Sequence, residues 1–380
     1  MATNNEHEHF MFGKVIDKQF FTDRDEERAR LKQNIVSGIN SVIISPRRWG
    51  KSSLVYQLKE ENTDKKTKYC YLDLFSIKDE EDFYKQYSIA LVRAVASTTD
   101  EIISNTTRFL KNLMPVISFG NQIDVEFEIK FEKKNIEQNP DAVINLAEQI
   151  AIDKNIKLVV CLDEFQNISE FDSGINFQKK LRSHWQHHKN VVYILYGSKM
   201  SMMSVMFAKQ KYPFYKFGDI IFLKKIEAKH LVNHVSKIFN QTNKKIDQTF
   251  AKQLVETMEC HPHYVQHLAY FVWHKTSEEV TSEIISESLE MLINSYAPMF
   301  QRIFEDLTKT QVNYLKAIAQ GHKDGFTSKE LIETYEFGTG ANVLRAVTAL
   351  EKKEIIDSLY SKTEFLDPVF KIWFKRIVRA

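Results

Sequence analysis

The chain predicts an α/β fold: a parallel β-sheet between two layers of helices, then an all-α segment, then a compact unit of helices and a hairpin. Three observations predict it. Short apolar runs at 42–44, 158–162, 191–196 and 220–223, with a further buried strand at 68–74 ending at Asp73, alternate with helical patterns; runs without polar alternation mark strands covered on both faces, as in parallel sheets. Beyond Lys225 the strand pattern stops, and 230–239, 247–258, 263–275 and 283–295 are each amphipathic at helical period. From Thr310 onward, helices at 312–319, 331–335 and 341–353 precede two short strands at 355–359 and 363–366, the order of a winged helix-turn-helix.

Composition bounds the rest. The chain has 380 residues, enough for two or three domains, and its 43% apolar and 27% charged content is ordinary for a globular protein. No apolar stretch approaches the ~18 residues of a membrane span. The opening Met1-Ala2-Thr3-Asn4-Asn5-Glu6 lacks a signal-peptide pattern, so the expected location is cytoplasmic, with no membrane partner. Cys70, Cys161 and Cys260 are scattered and odd in number, which fits free thiols in a reducing compartment better than a disulfide frame. A net charge of +2 neither demands nor excludes a nucleic-acid partner.

Taken in order, residues 1–12 form a polar, mobile tail in which His7 and His9 are solvated. Thr22 or Asp23 offers an N-cap for a helix running through Leu31, with acids in its first turn. The strand at 42–44 then feeds Ser45-Pro46-Arg47-Arg48-Trp49-Gly50-Lys51-Ser52-Ser53, with a helix opening at Leu54. This is a phosphate-cradling loop. Gly50 lets the backbone approach a phosphate, Lys51 would reach the β- and γ-phosphates, Ser52 would ligate Mg²⁺, and the helix N-terminus adds its positive dipole end. The usual first glycine of the motif is replaced by Ser45, which is acceptable if φ stays negative there.

The strand at 68–74 ends near Asp73, and 81–95 reads as a helix. Between 116 and 131, strict apolar–charged alternation over 123–131, with Gly120-Asn121 upstream, reads as an inserted β-hairpin, a contact surface or a packed edge. A helix at 141–152 precedes the strand at 158–162, which ends in Asp163-Glu164-Phe165-Gln166. An acid pair at the carboxyl end of a buried strand stands where α/β folds place ligand chemistry. Asp163 would hold Mg²⁺ and Glu164 would orient or deprotonate a water. A helix at 177–188 carries Arg182. The strand at 191–196 exits through Gly197-Ser198, where Ser198 can act as a polar sensor of the γ-phosphate. In the C-terminal unit Thr327-Ser328 is an N-cap signal. The third helix there offers Arg345, Lys352 and Lys353, but eleven Lys or Arg against nine Asp or Glu over 310–380 leave its face without a strong basic bias.

Together these residues resemble the archaeal-type AAA-related ATPases of the STAND superclass, over nearly the whole chain. The resemblance rests on 21–31, similar to the family's Phe-x-x-Arg-x-x-Glu box near the adenine, and on Pro46-Arg47-Arg48-Trp49-Gly50-Lys51-Ser52. It extends through 158–166, Gly197-Ser198, Pro213-Phe214-Tyr215-Lys216-Phe217-Gly218, His261-Pro262-His263-Tyr264-Val265-Gln266 and 366–370. It implies a P-loop NTPase core over 13–225, a helical lid over 226–300 and a winged-helix domain over 301–380. ATP would sit at their junction, Mg²⁺ at Ser52 and Asp163, a base at Glu164 and a sensor at Ser198. Where family members carry an arginine in the Pro-Phe-Tyr segment this chain has Lys216-Phe217, which leaves Arg182 and Arg24 as candidate charge-stabilising arginines. The His-Pro box makes His261 and Pro262 candidates for touching nucleotide, the alternative for Pro262 being a helix start.

The expected function is Mg²⁺-dependent ATP binding and hydrolysis by a nucleotide-controlled conformational switch, cycling between ATP and ADP, with an effector protein encoded separately and self-association as an option. Three rivals stand beside it: a DNA-handling ATPase of the origin-recognition or loader type, a module that holds nucleotide without turnover, and a P-loop kinase. The presence of Glu164 disfavours the second, and the acid pair suits water activation better than the third.

Overall fold

The structure, a computed structural model, describes residues 9–14, 22–111, 116–118, 128–130, 140–358 and 362–379. It divides into two compact units, one of Arg24–Arg47 with Lys51–Lys224, the other of Lys225–Ala380 with Arg48–Gly50 and Met1–Asp23.

The first unit is built on β1 (Ser41–Ile44), β2 (Thr67–Asp73), β5 (Lys157–Asp163), β6 (Val191–Gly197) and β7 (Asp219–Phe222); β3 (Val116–Ser118) and β4 (Glu128–Lys130) pair separately with each other. The main sheet has the order β2-β5-β6-β1-β7 with every pairing parallel. The continuous apolar runs explain this order. All residues of β1 and β6 are buried, as a central position requires. The chain leaves β1 for the far edge at β2, returns through β5 and β6, and then crosses to β7 on the other side of β1. Register aligns the strand ends: Asp73 faces Asp163, Leu162 faces Leu195, and Ile44 faces Gly197. The carboxyl ends of β5, β6 and β1 therefore stand in a row. Tyr87, Phe165, Phe177, Trp185 and Tyr193 fill the core between sheet and helices.

Several boundaries differ from expectation, each for a local reason. The helix after the loop begins at Lys51, three residues before Leu54, so Lys51 and Ser52 lie in its first turn (Lys51–Glu60). The helix expected through Leu31 runs over Asp25–Ser37 from an Arg24 N-cap in the left-handed region, without a side-chain cap from Thr22 or Asp23; Asp25, Glu26 and Glu27 complement the dipole instead. The helix expected over 141–152 breaks into Pro140–Ile144 and Leu146–Lys154. At the break, Asn145 N and Nδ2 both donate to Asp141 O, at 3.0 and 2.9 Å, and Gln149 N donates to Asn145 O at 3.0 Å, so the interruption is a single turn residue. Helices Thr99–Phe109 and Met200–Ala208 were not anticipated. The hairpin's proposed turn at Gly120-Asn121 and most of its alternating segment lie outside the described residues, while Val116–Ser118 pairs antiparallel with Glu128–Lys130.

The second unit holds helices Ala228–Gln241, Gln248–Thr257, Pro262–Lys275 and Ser282–Glu305. These are followed by Lys309–Ala319, Lys329–Thr334 and Gly340–Lys352, the hairpin of β8 (Ile356–Asp357) and β9 (Glu364–Phe365), and a closing helix Pro368–Val378. Ser328 caps its helix as the sequence suggests, accepting from Leu331 N at 3.4 Å, and Thr308 closes a capping box with Gln311. The long helix runs ten residues beyond Ser295, and its Phe300 meets Phe370 and Trp373 at centroid distances of 5.2 and 5.8 Å. One contiguous apolar core thus spans all these helices. Phe10 is only 4% exposed within it, and Phe12 stacks on His267 at 3.9 Å. The description of 1–12 as a mobile tail therefore fails for Phe10 and Phe12, whose rings are docked by apolar burial; His7 lies outside the described residues, and His9 packs on Trp273 at 4.6 Å.

Candidate active site

The row of strand ends gathers the chemistry. Ser45 follows β1, Gly197-Ser198 end β6, and Asp163-Glu164 end β5. β1 and β5 are two strand steps apart, about 10 Å. The helix Lys51–Glu60 brings its first turn to the acidic strand tip, and Ser52 Oγ donates to Asp163 Oδ2 at 2.7 Å.

Lys51 is 5% exposed, and its Nζ donates to Ser45 O at 3.2 Å and Pro46 O at 3.0 Å. The ammonium is thus fixed over its own loop. Ser45 is buried and its Oγ donates to Pro46 O at 3.2 Å. Left-handed backbone occurs at Arg48 (φ 63°) and Gly50 (φ 89°) and not at Ser45, which is why the missing first glycine is tolerated.

Burial pushes the Asp163 carboxyl up to about 6, against the bond from Ser52; the neighbouring Glu164 charge adds to the rise. Asp163 Oδ1 accepts Glu164 N at 2.8 Å. Glu164 sits in the left-handed region at φ 49°, a conformation that redirects its side chain at the strand exit. Its Oε2 accepts from Ser198 Oγ at 2.8 Å, Ser198 N at 3.4 Å and Gln166 Nε2 at 2.5 Å. Arg47 Nε donates to Ser198 Oγ at 3.4 Å, linking the loop to this group. Ser53, one position after Ser52, is buried in the helix.

Arg182 lies apart from this group. Arg182 stacks its guanidinium 4.9 Å over Phe217, and burial lowers its pKa. Phe217 directly precedes Gly218, which abuts Asn40 at the amino end of β1, so Arg182 is at the opposite edge of the sheet from Lys51 and Asp163. The expectation of a catalytic Arg182 within this chain is corrected. A signal was present: a helix following a strand runs back antiparallel to it, so its first turn, not the last turn that holds Arg182, stays near the strand's carboxyl end. Arg24 is 3% exposed and its Nη1 donates to Glu27 Oε1 at 3.1 Å. Pro262 occupies the first turn of Pro262–Lys275 behind an uncapped His261, the helix-start role. Arg48 and Trp49 group with the second unit. There Arg48 Nη1 lies 3.2 Å from His263 Nε2, and the Trp49 and His261 rings are 6.3 Å apart, edge on. Gln166 and Gly197 also meet here, a proximity that is tertiary and carries no signal in the sequence.

The arrangement offers a buried cation, a hydroxyl–carboxylate pair of hard oxygens, a second carboxylate, and a hydroxyl bonded to it. Ser52 Oγ and Asp163 Oδ2 are adjacent oxygens suited to a hard divalent ion, whose other ligands would be water and phosphate oxygens. The residues fit Mg²⁺ held with a nucleotide.

A family described as a probable winged helix domain matches residues 298–376. A Walker-type ATPase of Pyrococcus abyssi is 16% identical over 97% of this chain and 99% of that one, with a TM-score of 0.69. The ORC2 protein of Aeropyrum pernix is similar in two states. Its ADPNP–ADP complexes are 13% identical over 98% and 100% of the two chains at a TM-score of 0.54, and its ADP form is 11% identical over 97% and 96% at 0.55. No curated protein matches the chain in sequence. At these identities the likeness establishes the fold, a three-layer P-loop NTPase core with parallel sheet followed by helices and a C-terminal winged helix. Among the described residues no helix is long and apolar enough to cross a membrane.

Proposed function

We propose that the chain is an ATPase that binds ATP with Mg²⁺ and hydrolyses it. The observation that carries the reading is Ser52 Oγ at 2.7 Å from Asp163 Oδ2, with Glu164 as the next residue. Lys51 binds the terminal phosphates, and the amide-rich first turn of Lys51–Glu60 orients them. Ser52 and Asp163 would hold the ion, which would neutralise charge developing on the phosphates. Glu164 takes a proton from the attacking water, and Ser198 fixes the carboxylate that does so. Glu164→Gln is expected to bind ATP as the parent does and to hydrolyse it ~10²- to 10⁴-fold more slowly. Lys51→Ala is expected to lose binding. Calorimetry and phosphate release decide; parent-like turnover in Glu164→Gln refutes the base, and parent-like affinity in Lys51→Ala refutes the site.

The finer reading is a nucleotide-controlled switch of the STAND type, in which ATP and ADP favour different arrangements of the chain and a separately encoded effector, or a second copy, reads the difference. A second reading is supported by the winged-helix match and by the likeness to ORC2: a DNA-handling ATPase using the exposed Arg345 and Lys352 of Gly340–Lys352. It requires ATP-dependent, salt-sensitive duplex binding that weakens on Arg345→Ala, and an absence of duplex binding at low salt rules it out. Mass measurement of Glu164→Gln purified with ATP and Mg²⁺ separates the two, by showing DNA, protein or self-association.

A further inference from the structure

Resting on the ATPase reading above, we propose that Gln166, seated in space left by the missing side chain of Gly197, is the residue that positions Glu164 for proton abstraction. Gln166 is 0% exposed and lies in the 3₁₀ turn Phe165–Glu170 that follows β5. Its Nε2 donates to Glu164 Oε2 at 2.5 Å. That bond fixes the amide's orientation, because the flipped form would set two acceptors against each other. Among the described residues, the other end, Oε1, is buried without a hydrogen-bond partner, and an unpaired buried carbonyl is destabilising.

Gly197 explains how the amide fits. A Cβ there would stand 1.9 Å from Gln166 Oε1 and 3.1 Å from its Cδ. The backbone of Gly197 is not among the positive-φ glycines, so the residue supplies room and not a turn. The Gly197-Ser198 pair thus holds Glu164 from two directions: Ser198 donates to the carboxylate directly, and Gly197 admits the amide that donates beside it. All three bonds land on Oε2, and among the described residues none reaches Oε1. One oxygen is anchored and the other keeps its lone pairs for a water. Gln166 acts through Glu164 and is a positioning residue, selecting the oxygen that works and its direction.

The test is steady-state ATP hydrolysis with nucleotide affinity by calorimetry, on the full chain. Gln166→Leu is expected to lower kcat ~10- to 100-fold while KM and ATP affinity stay within about twofold of the parent. Gly197→Ala is expected to lose kcat to a similar degree, by pushing the amide. In a Gln166→Ala background, Gly197→Ala is expected to cost far less than it does alone, because the 1.9 Å collision with the amide is gone and only the 3.0 Å approach to the flexible Met203 side chain remains. In a Glu164→Gln background, Gln166→Leu is expected to leave the residual rate unchanged. A purely structural Gln166 would move KM, affinity and kcat together, and Gln166→Leu would then lower the residual rate in the Glu164→Gln background as well. Should Gln166→Leu not fold, the Gln166→Ala and Gly197→Ala cycle carries the same decision. Parent-like kcat in Gln166→Leu or additive losses overturn this proposal alone, whereas a parent that binds ATP without turning it over overturns the ATPase reading and this proposal with it.

Discussion

Asp163 is where stability and chemistry pull in opposite directions. Its carboxyl titrates at about 6 because burial outweighs the bond from Ser52. The folded value lies above the ordinary ~4 of an aspartate, so the native state holds the proton more tightly than the unfolded chain. The stability this group contributes is therefore present at low pH and is lost as pH rises from ~4 through ~6. Ligating Mg²⁺ needs the ionised form, so function runs the other way: Mg²⁺-dependent ATP affinity is expected to weaken as pH falls below ~6, by at most about tenfold per unit. Asp163→Asn should flatten that pH dependence and lower Mg²⁺-dependent affinity. At pH 7.5 it should make the ligand-free protein more stable, by on the order of 1–3 kcal/mol. Calorimetry across pH 5–7.5 and urea unfolding at pH 7.5 measure the two halves. A variant less stable than the parent at pH 7.5 would show that the Ser52 bond, not burial, dominates this carboxylate.

Single elements carry a second pH effect of opposite sign. The helix Pro262–Lys275 and its N-cap present His261 and His263, both held down to about 3, and His267, held down to about 4, in each case chiefly by burial and then by nearby positive charge including Arg48. Their folded values lie below the ordinary ~6.5 of histidine, so the stability they contribute is complete above ~6.5 and is lost as pH falls towards 4. Each imidazole that stays neutral costs up to roughly 1.4 kcal/mol per pH unit in that window. Urea unfolding of the helical signal is expected to show lower stability at pH 5 than at pH 7, and His261→Phe to shallow the slope by about one proton. Equal stability at the two pH values would mean that these rings reach water. Elements also show what was legible. The central strands β1, β5 and β6 could be read from sequence because a strand covered on both faces leaves an unbroken apolar run, whereas the half-buried edge strand β2 keeps Lys68 and Asp73 among its apolar residues; Lys51, Ser52, Asp163, Glu164 and Ser198 stand at or just beyond the ends of the central runs. The helix Thr99–Phe109 was not read because its Ser, Asn, Thr and β-branched residues are weak helix formers, although its amphipathic pattern and the Thr98 cap, which accepts from Glu101 N, mark it. Nor could the break at Asn145 be read, a single turn residue across which the backbone bonds to Asp141 O and from Gln149 N are kept. Gln166 against Gly197 escaped for a different reason: the contact joins two strand ends that are neighbours only in the sheet.

At the scale of the whole chain, the two units differ in how far their interactions are self-contained. Every bond among Lys51, Ser52, Asp163, Glu164, Gln166 and Ser198 is internal to the α/β unit, which has its own aromatic core. The helical segment and the winged helix share one core and are tied by polar contacts as well. Tyr264 donates to Asp367, which in turn caps Pro368–Val378 by accepting from Val369 N and Phe370 N at 2.8 and 2.9 Å. Lys371 pairs with Glu259 at 2.5 Å, and Arg376 grips Glu290 with two bonds of 2.6 and 2.8 Å. Deleting 310–380 would strip Phe370, Trp373 and Phe374 from Phe300 and Phe304. Losing one such aromatic contact surface typically costs ~3–5 kcal/mol, so several together exceed what a unit of this size can spare. The truncated chain is therefore expected to lose more helical circular dichroism than the deleted residues supplied and to bind an apolar dye, while ATP affinity stays within about tenfold of the parent. If the dye does not bind and the remaining helices melt as before, the shared core is not what holds them. If ATP binding collapses, the C-terminal segment supplies part of the nucleotide site, and a pocket confined to Lys51, Ser52, Asp163 and Ser198 is wrong.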